Sequence, residues 1–236
     1  MIRNNIVERV LVVAAHPDDE VLGCGGTIAK LVESGAVVLV LFVAEGSSAR
    51  YAKEAINSSK SIEDQSLRKQ AAYNAAKVLG HHIQAFLDFP NLRMVQPDLD
   101  LVKRIEAELS QFRPTMVITH HHGDANSDHR AVFEAVYTAC RPFSGYSPNC
   151  VLSFPVSSST EWAPQNGGRA FTPNFYVGIE PHLIEKKLRA LNAYENEMRP
   201  SPHPRSVELV RAQASLFGSQ IGTASAEAFY CHRFLT

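Results

Sequence analysis

The chain lacks the features that mark several large classes of protein. It carries 23 Lys and Arg against 24 Asp and Glu and has no long basic run, so the charge pattern of a nucleic-acid-binding protein is missing. No apolar run approaches the ~20 residues that a membrane-spanning helix needs, and the N-terminus does not read as a secretory signal. We therefore expect a cytoplasmic protein with no nucleic-acid partner and no stable membrane insertion.

Two motifs with well-defined chemistry are also missing. The four cysteines have no C-x-x-C spacing, which excludes a zinc ribbon and a thioredoxin-like redox pair, and we expect them to be reduced thiols. The glycine-rich segment 23–26 lacks the G-x-G-x-x-G spacing of a dinucleotide-binding loop. We expect these glycines to allow close packing of a helix on a sheet or to line a site.

Buried strands and helical segments alternate from the start of the chain. Residues 9–15 are apolar and rich in valine, which predicts a strand buried on both faces of a parallel sheet. A helix over 20–33 and a second buried strand over 36–43 complete a right-handed βαβ unit. Hydrophobic residues make up 45% of the 236 residues and no linker interrupts them, so we expect one α/β domain over 1–236.

The rest of the chain continues the alternation. Further strands are predicted over 83–87, 115–119, 151–156 and 175–179, and further helices over 61–79, 99–112, 130–140, 181–198 and 206–218. A loop is predicted over 88–97, and the segment 51–59 reads as either a helical turn or a mobile lid. The polar segment 157–173 is unusually long for a loop within a domain, which is typical of functional loops. We expect this loop and the segment 51–59 to decide the substrate.

A first polar cluster follows the first strand, where a parallel sheet binds its ligands. His16 and Asp19 flank Pro17, which keeps His16 out of the helical region and favours a turn in which both side chains face one point. Imidazole and carboxylate groups suit zinc, or less exclusively iron or manganese. Asp18 lies between the two ligand positions and is left for another role.

A second polar cluster, residues 120–129, follows the strand predicted over 115–119. Both clusters leave buried strands at the same edge of the sheet, so we expect them to meet. His129 is the candidate third ligand of one zinc ion per chain with an open fourth position. Asp128 or Asp124 could orient a ligating histidine through its second ring nitrogen.

These groups predict metal-assisted hydrolysis of an amide or ester. Zinc lowers the pKa of a bound water toward ~7, and Asp18 is placed to take the proton before the hydroxide attacks a carbonyl. Two other functions stay open. The spare His120, His121 and Asp124 would suit a two-metal phosphoesterase, and a non-catalytic metal-holding domain would not need Asp18.

The two clusters resemble the signatures of a known family. The stretch Ala15-His16-Pro17-Asp18-Asp19-Glu20 and the stretch from Thr119 to Arg130 are similar to those of the PIG-L/LmbE-like zinc-dependent de-N-acetylases, and the resemblance extends over most of the chain. It implies a Rossmann-like fold, a mostly parallel sheet with helices on both faces and the site at the carboxyl ends of the strands. It also implies zinc on His16, Asp19 and His129, Asp18 as general base, and a homo-oligomer.

The resemblance further implies a substrate class, an N-acetylglucosamine unit joined to an aglycone. The aglycone stays open between inositol, a nucleotide diphosphate, a thiol-cofactor precursor, a lipid and a glycan. Near-neutral net charge favours a small soluble conjugate.

The chain departs from the family at one catalytic position. Some members carry a histidine that polarises the substrate carbonyl three residues before the third ligand, and here that residue is Asn126. We take His203 as the candidate replacement and count it as catalytic together with Asp18 and Asp128. The candidate substrate-binding residues are Arg50, Arg68, Asp124 and Asn126.

Overall fold

The computed structural model describes residues 8–89, 99–143 and 145–235. Seven strands form one sheet in the order β3-β2-β1-β4-β5-β7-β6. The strands are β1 (Arg9–Ala14), β2 (Val37–Ala44), β3 (His82–Phe89), β4 (Met116–His120), β5 (Cys150–Phe154), β6 (Phe175–Gly178) and β7 (Ala226–Phe234). The helices are α1 (Asp19–Glu33), α2 (Ser59–Leu79), α3 (Leu99–Phe112), α4 (Ser127–Ala139), α5 (Pro181–Leu191) and α6 (Val207–Ile221).

The centre of the sheet is parallel, as the valine-rich runs predict. β1 pairs in parallel with β2 and with β4, and Val10 lies opposite both Val38 and Met116. Alternate residues of β1 enter the two cores, with Val10 and Val12 on one face and Leu11 and Val13 on the other. Helices α1, α2, α5 and α6 cover the first face, and α3 and α4 cover the second. The predicted α/β fold with helices on both faces is confirmed.

The strand order brings the two polar clusters to one place. β1 lies between β2 and β4, and the connections from β1 and β4 leave toward opposite sides of the sheet. The carboxyl ends of β1 and β4 therefore border the crevice at which open α/β sheets bind ligands. The glycines of α1 allow that helix to pack closely, since a Cβ atom on Gly23 would lie 2.1 Å from the ring of Phe154.

Two predicted helices differ most from the structure. Helix α4 begins at Ser127 rather than 130 because the side chain of Asn126 accepts a hydrogen bond from the backbone N–H of Asp128 and caps the helix. Helix α5 ends at Leu191 instead of 198 and is followed by a 3-10 helix, Asn192–Tyr194. The segment 51–59 contains a short 3-10 helix, Lys53–Ala55, which agrees with the helical turn. Most of the loop predicted over 88–97 lies outside the described residues.

The C-terminal strand β7 was not predicted. It runs antiparallel between β5 and β6, and its polar side chains do not read as a buried strand. One of them, Glu227, is buried because it accepts hydrogen bonds from the N–H groups of Gly26 and Thr27 and pairs with Lys187 at 2.6 Å. This contact joins the last strand to helix α1 beside the crevice.

Over the described ranges, no helix combines the length and the apolar character that a bilayer crossing requires. All four cysteines are free thiols, as expected.

Replacing His81 with Leu should make the free energy of unfolding less sensitive to acid. Burial lowers the pKa of His81 from 6.5 to about 4, and neither ring nitrogen has a hydrogen-bond partner among the described residues. As the pH falls from 6.5 to 4, the unfolded chain binds a proton here that the folded chain does not. This site therefore removes up to about 3 kcal/mol of stability over that range.

Urea unfolding of wild type and His81→Leu across that pH range measures the effect. The exposed His182 provides a matched control, and His182→Leu should keep the acid sensitivity of the wild type. An equal loss of stability in His81→Leu and the wild type would contradict the prediction.

Candidate active site and metal centre

A tight turn between β1 and α1 places the first cluster. The backbone N–H of His16 donates to Asp19 Oδ2 at 2.8 Å, and the N–H of Asp19 donates back to the carbonyl of His16 at 3.2 Å. Asp18 adopts a φ of 125°, a strained conformation for a residue with a side chain. The turn thereby directs His16 and Asp19 to one point, as their spacing predicts.

The three predicted ligands meet. Asp19 Oδ2 lies 3.2 Å from His16 Nδ1 and 3.3 Å from His129 Nε2. The three ligand atoms lie within 4.8 Å of one another, and all three residues are buried. Two neutral imidazoles and a carboxylate form the donor set that zinc takes in hydrolytic sites.

Each of the two candidate histidine ligands contacts its own carboxylate on the side away from the other candidate ligands. His16 Nε2 lies 3.0 Å from Asp128 Oδ2, and His129 Nδ1 lies 3.2 Å from Asp124 Oδ1. Such contacts fix the ring orientation and leave the opposite nitrogen directed at a metal. Both carboxylates were candidates for orienting a ligand, and the structure gives one to each histidine.

The chemistry of the group fits a bound cation. Asp19 Oδ1 is buried and has no hydrogen-bond partner among the described residues. Burial alone would lower the pKa of His129, but Asp19 and Asp124 raise it to about 10. Burial likewise opposes the charge of Asp19, yet His129 and His120 hold its pKa well below the usual range. The buried carboxylates therefore stabilise a positive charge between them, which a bound metal ion would also supply.

The spare histidines of the second cluster are engaged elsewhere. His120 Nε2 accepts a hydrogen bond from the N–H of Ala15 at 2.7 Å, and its ring stacks on His129 with centroids 4.0 Å apart. His121 Nε2 lies 2.9 Å from the carbonyl oxygen of Arg169. Over the described ranges, His16, Asp19 and His129 are the one group arranged to hold a metal.

Asp124 contacts the protein rather than a substrate pocket. Its carboxylate accepts hydrogen bonds from the hydroxyl of Ser159, from Thr160 at 2.5 Å and from the N–H of Asn126 at 2.8 Å. Together with His129, these contacts occupy both oxygens, so the predicted substrate contact of Asp124 is replaced by a positioning contact. They also attach the start of the loop 157–173 to the group formed by His16, Asp19 and His129, which we call the metal group.

Asp18 stands beside the metal group between two arginines. Arg205 Nη1 lies 2.9 Å and Arg68 Nη2 lies 3.1 Å from the same oxygen, Oδ2. The other oxygen, Oδ1, is buried and has no hydrogen-bond partner among the described residues. Burial raises the pKa of Asp18, and the two arginines oppose that shift.

The two arginines predicted to bind substrate are held by the protein. Arg68 is buried, donates to the carbonyls of Pro17 at 3.0 Å and Gly46 at 2.7 Å, and pairs with Glu197 at 3.0 Å. These contacts and Asp18 occupy the donors of its guanidinium, so Arg68 supports the site through the protein's own groups. Arg50 donates to both oxygens of Glu197 at 2.7 Å, while its side chain remains 47% exposed.

Asn126, which stands where some family members have a histidine, and its candidate replacement His203 lie in different surroundings. The Oδ1 atom of Asn126 caps helix α4, which leaves its amide nitrogen as the group for a substrate contact. His203 lies in the segment before α6, where its Nδ1 accepts from the N–H of Arg205 and its ring packs edge-on against Trp162.

Several residues of the site were not identified from the sequence. Glu197 and Arg205 lie in the segment between α5 and α6. Tyr194, in the same segment, donates a hydrogen bond to the buried Glu20 at 2.7 Å. Burial raises the pKa of Glu20 to about 8. Arg205 lies two residues from the candidate His203, but no local spacing connects these residues to Asp18.

Comparison with known proteins agrees with the geometry. The sequence model of the family PIG-L, described as GlcNAc-PI de-N-acetylase, matches residues 11–140. That range is more than half of the chain and contains both clusters. The chain belongs to the PIG-L family.

Relatives of this PIG-L protein span most of its length. It is 31% identical over 192 residues to the Escherichia coli K12 protein named uncharacterized deacetylase YaiS, a match that covers 79% of this chain and 90% of the relative. It is 28% identical over 231 residues to the diacetylchitobiose deacetylase of Thermococcus kodakarensis, covering 94% of this chain and 82% of the relative.

A solved structure shows that the PIG-L fold is not restricted to one named activity. The 4-carboxy-2-hydroxymuconate hydratase of Pseudomonas putida matches with a TM-score of 0.74 and 20% identity, over 97% of this chain and 98% of that one. At this identity the likeness shows the fold alone.

Replacing Asp124 with Asn should weaken zinc binding by about 10- to 100-fold, because the carboxylate behind His129 is lost. Competition with a chelator measures the affinity. Asp88→Asn removes the same charge from an exposed residue paired with Lys69 and serves as the control. Unchanged zinc affinity in Asp124→Asn would show that this carboxylate does not tune the metal group.

Proposed function

We propose that this protein is a zinc-dependent hydrolase that removes the acetyl group from an N-acetylglucosamine-type conjugate. The observation that carries the proposal is the position of Asp18, a buried carboxylate with one unpartnered oxygen directly beside three candidate metal ligands. Relatives named as deacetylases of diacetylchitobiose and of N-acetyl-α-D-glucosaminyl L-malate support the substrate class. Iron or manganese is the alternative to zinc for the same ligands.

Each residue of the site has a separate role in the proposed hydrolysis. His16, Asp19 and His129 would hold the metal, which when bound acidifies a water and polarises the amide carbonyl. Asp18 would accept the proton of the attacking water on Oδ1 and deliver it to the leaving nitrogen. The new C–O bond replaces the C–N bond, and acetate and a free amino sugar leave. Asp128 would take part by holding His16.

Asn126 and His203 are the candidates for polarising the carbonyl from the protein side. Asn126 can donate a hydrogen bond through its amide nitrogen but cannot transfer a proton. We propose that His203, whose Nδ1 accepts from the backbone, uses its Nε2–H toward the substrate.

A cavity beside the site suits the rest of the substrate. It measures about 470 Å³ and lies between α2 and the segment 193–197, with Arg50, Arg68 and Lys60 among its walls. Pockets of this size hold small ligands. We propose that the aglycone occupies it and that the half-exposed Arg50 contacts an aglycone hydroxyl or phosphate.

The other functions find less support in the geometry. A two-metal phosphoesterase would need further ligands near the first metal, and His120, His121 and Asp124 all have other partners. A metal-holding domain without catalysis would not require a strained residue with a desolvated carboxylate at position 18. One metal ion per chain is expected for the deacetylase.

Acetate release from a panel of N-acetylglucosamine conjugates tests the function and the base together. The zinc-loaded wild type should release acetate from at least one conjugate. Asp18→Asn keeps the shape of the side chain but removes the base, so it should lower kcat by about 10²- to 10⁴-fold with full metal content. Zinc-loaded wild type that releases no acetate from any conjugate would overturn the deacetylase proposal.

His203→Ala should lower kcat much more than it lowers zinc content. The reason is that His203 is proposed to act on the substrate and is not a ligand. The exposed His182 supplies the control variant, His182→Ala. Wild-type turnover in His203→Ala would remove this residue from the mechanism.

A further inference from the structure

Arg205 connects three separate parts of the chain at the active site. Its Nη1 donates to Asp18 Oδ2 at 2.9 Å, and its Nε donates to the hydroxyl of Ser158 at 2.7 Å. Arg205 itself lies in the segment before α6, 187 residues from Asp18. Its side chain is 18% exposed, so the contact with Asp18 is largely shielded from water.

The contact with Asp18 is asymmetric. Arg205 and Arg68 both bind Oδ2, at 2.9 and 3.1 Å, and Oδ1 has no hydrogen-bond partner among the described residues. Glu197 lies behind the two arginines, 3.0 Å from Arg68 and 3.7 Å from Arg205. Two cations on one oxygen fix the rotation of a carboxylate group and so determine which oxygen remains available.

We propose that Arg205 is a positioning residue that orients Asp18 and leaves Oδ1 as the oxygen that exchanges the proton. This inference rests on the proposed function, in which Asp18 is the general base. The proton then moves from the attacking water to Oδ1 and from Oδ1 to the leaving nitrogen, while Oδ2 stays bound to the arginines throughout. Arg205 gains and loses no proton.

The chemistry of the side chain makes arginine specific at this position. The guanidinium uses Nε for Ser158 and Nη1 for Asp18 at the same time, in directions fixed by its planar geometry. Lysine presents its donors from a single nitrogen on a flexible stem and does not reproduce this fixed pair of directions. Arg68 differs because it is also anchored to two backbone carbonyls, so its loss would disturb the turn at Asp18 itself.

A set of three variants separates positioning from loop anchoring. Arg205→Ala removes the contacts with Asp18 and the loop, and Arg205→Lys keeps the charge but not the planar guanidinium. Ser158→Ala removes the hydroxyl that accepts from Nε, leaving the 3.4 Å contact of Nε with the carbonyl of Ser157 and the contact with Asp18. We expect Arg205→Ala to lower kcat by about 10²-fold with little change in KM or zinc content, since small displacements of a catalytic group have effects of that size. Ser158→Ala should stay within a few-fold of the wild type.

Chemical rescue gives a readout that a purely structural role would not produce. Added guanidinium ion should restore part of the kcat of Arg205→Ala, and it should not restore Asp18→Asn. The exposed Arg211, paired with Glu185, provides the control variant Arg211→Ala, which should keep wild-type turnover and show no rescue.

A crystal structure of metal-loaded Arg205→Ala tests the orientation without any turnover. The carboxylate of Asp18 should rotate or adopt two orientations. An unchanged Asp18 would overturn the inference even if the wild type proves inactive on every conjugate. Equal losses of kcat in Ser158→Ala and Arg205→Ala, without rescue, would assign Arg205 to loop anchoring and would leave the deacetylase function intact.

Discussion

The cost of burying charge governs the structure around the crevice between β1 and β4. Asp18, Asp19, Asp124 and Asp128 are each at most 1% exposed, and every one of them lies within a few ångströms of the metal group or of a group that contacts it. A carboxylate removed from water requires hydrogen-bond donors or cations in compensation. The donors come from distant parts of the chain, so this requirement determines how the surrounding loops are attached.

The parts of the site that are local in sequence could be predicted. His16 and Asp19 share one turn, and His129 follows a strand that must end at the same edge, so a short motif and sheet topology sufficed to bring them together. The apolar strands of the central sheet were equally readable, because burial on both faces leaves a continuous apolar run. Strand β7 was not, because the partners that allow its Glu227 to be buried lie in α1 and α5.

Among the groups that support the site, Asp124 and Asp128 were predicted as partners of the histidines, whereas the contacts of Arg68, Glu197 and Arg205 were not. In the sequence, Arg68 reads as an arginine on the surface of a helix. Only its burial next to Asp18 and Glu197 shows that it supports the site. From the sequence, Asp124 suits either a contact with the substrate or the orientation of a histidine. Its hydrogen bonds with the hydroxyls of Ser159 and Thr160 favour the second role. Long-range partners of this kind leave no spacing pattern in the chain.

The long loop 157–173 is attached to the site through residues near both of its ends. Its first residues bind Asp124, and the carbonyls of Gly168 and Arg169 contact His122 and His121. Gly123 permits the second attachment, since a Cβ there would lie 2.0 Å from the oxygen of Arg169. We therefore expect substitutions to be tolerated at the exposed tip, residues 164–166, and to be costly at the two attachments. Changes at the tip would leave the contacts of Asp124, His121 and His122 in place.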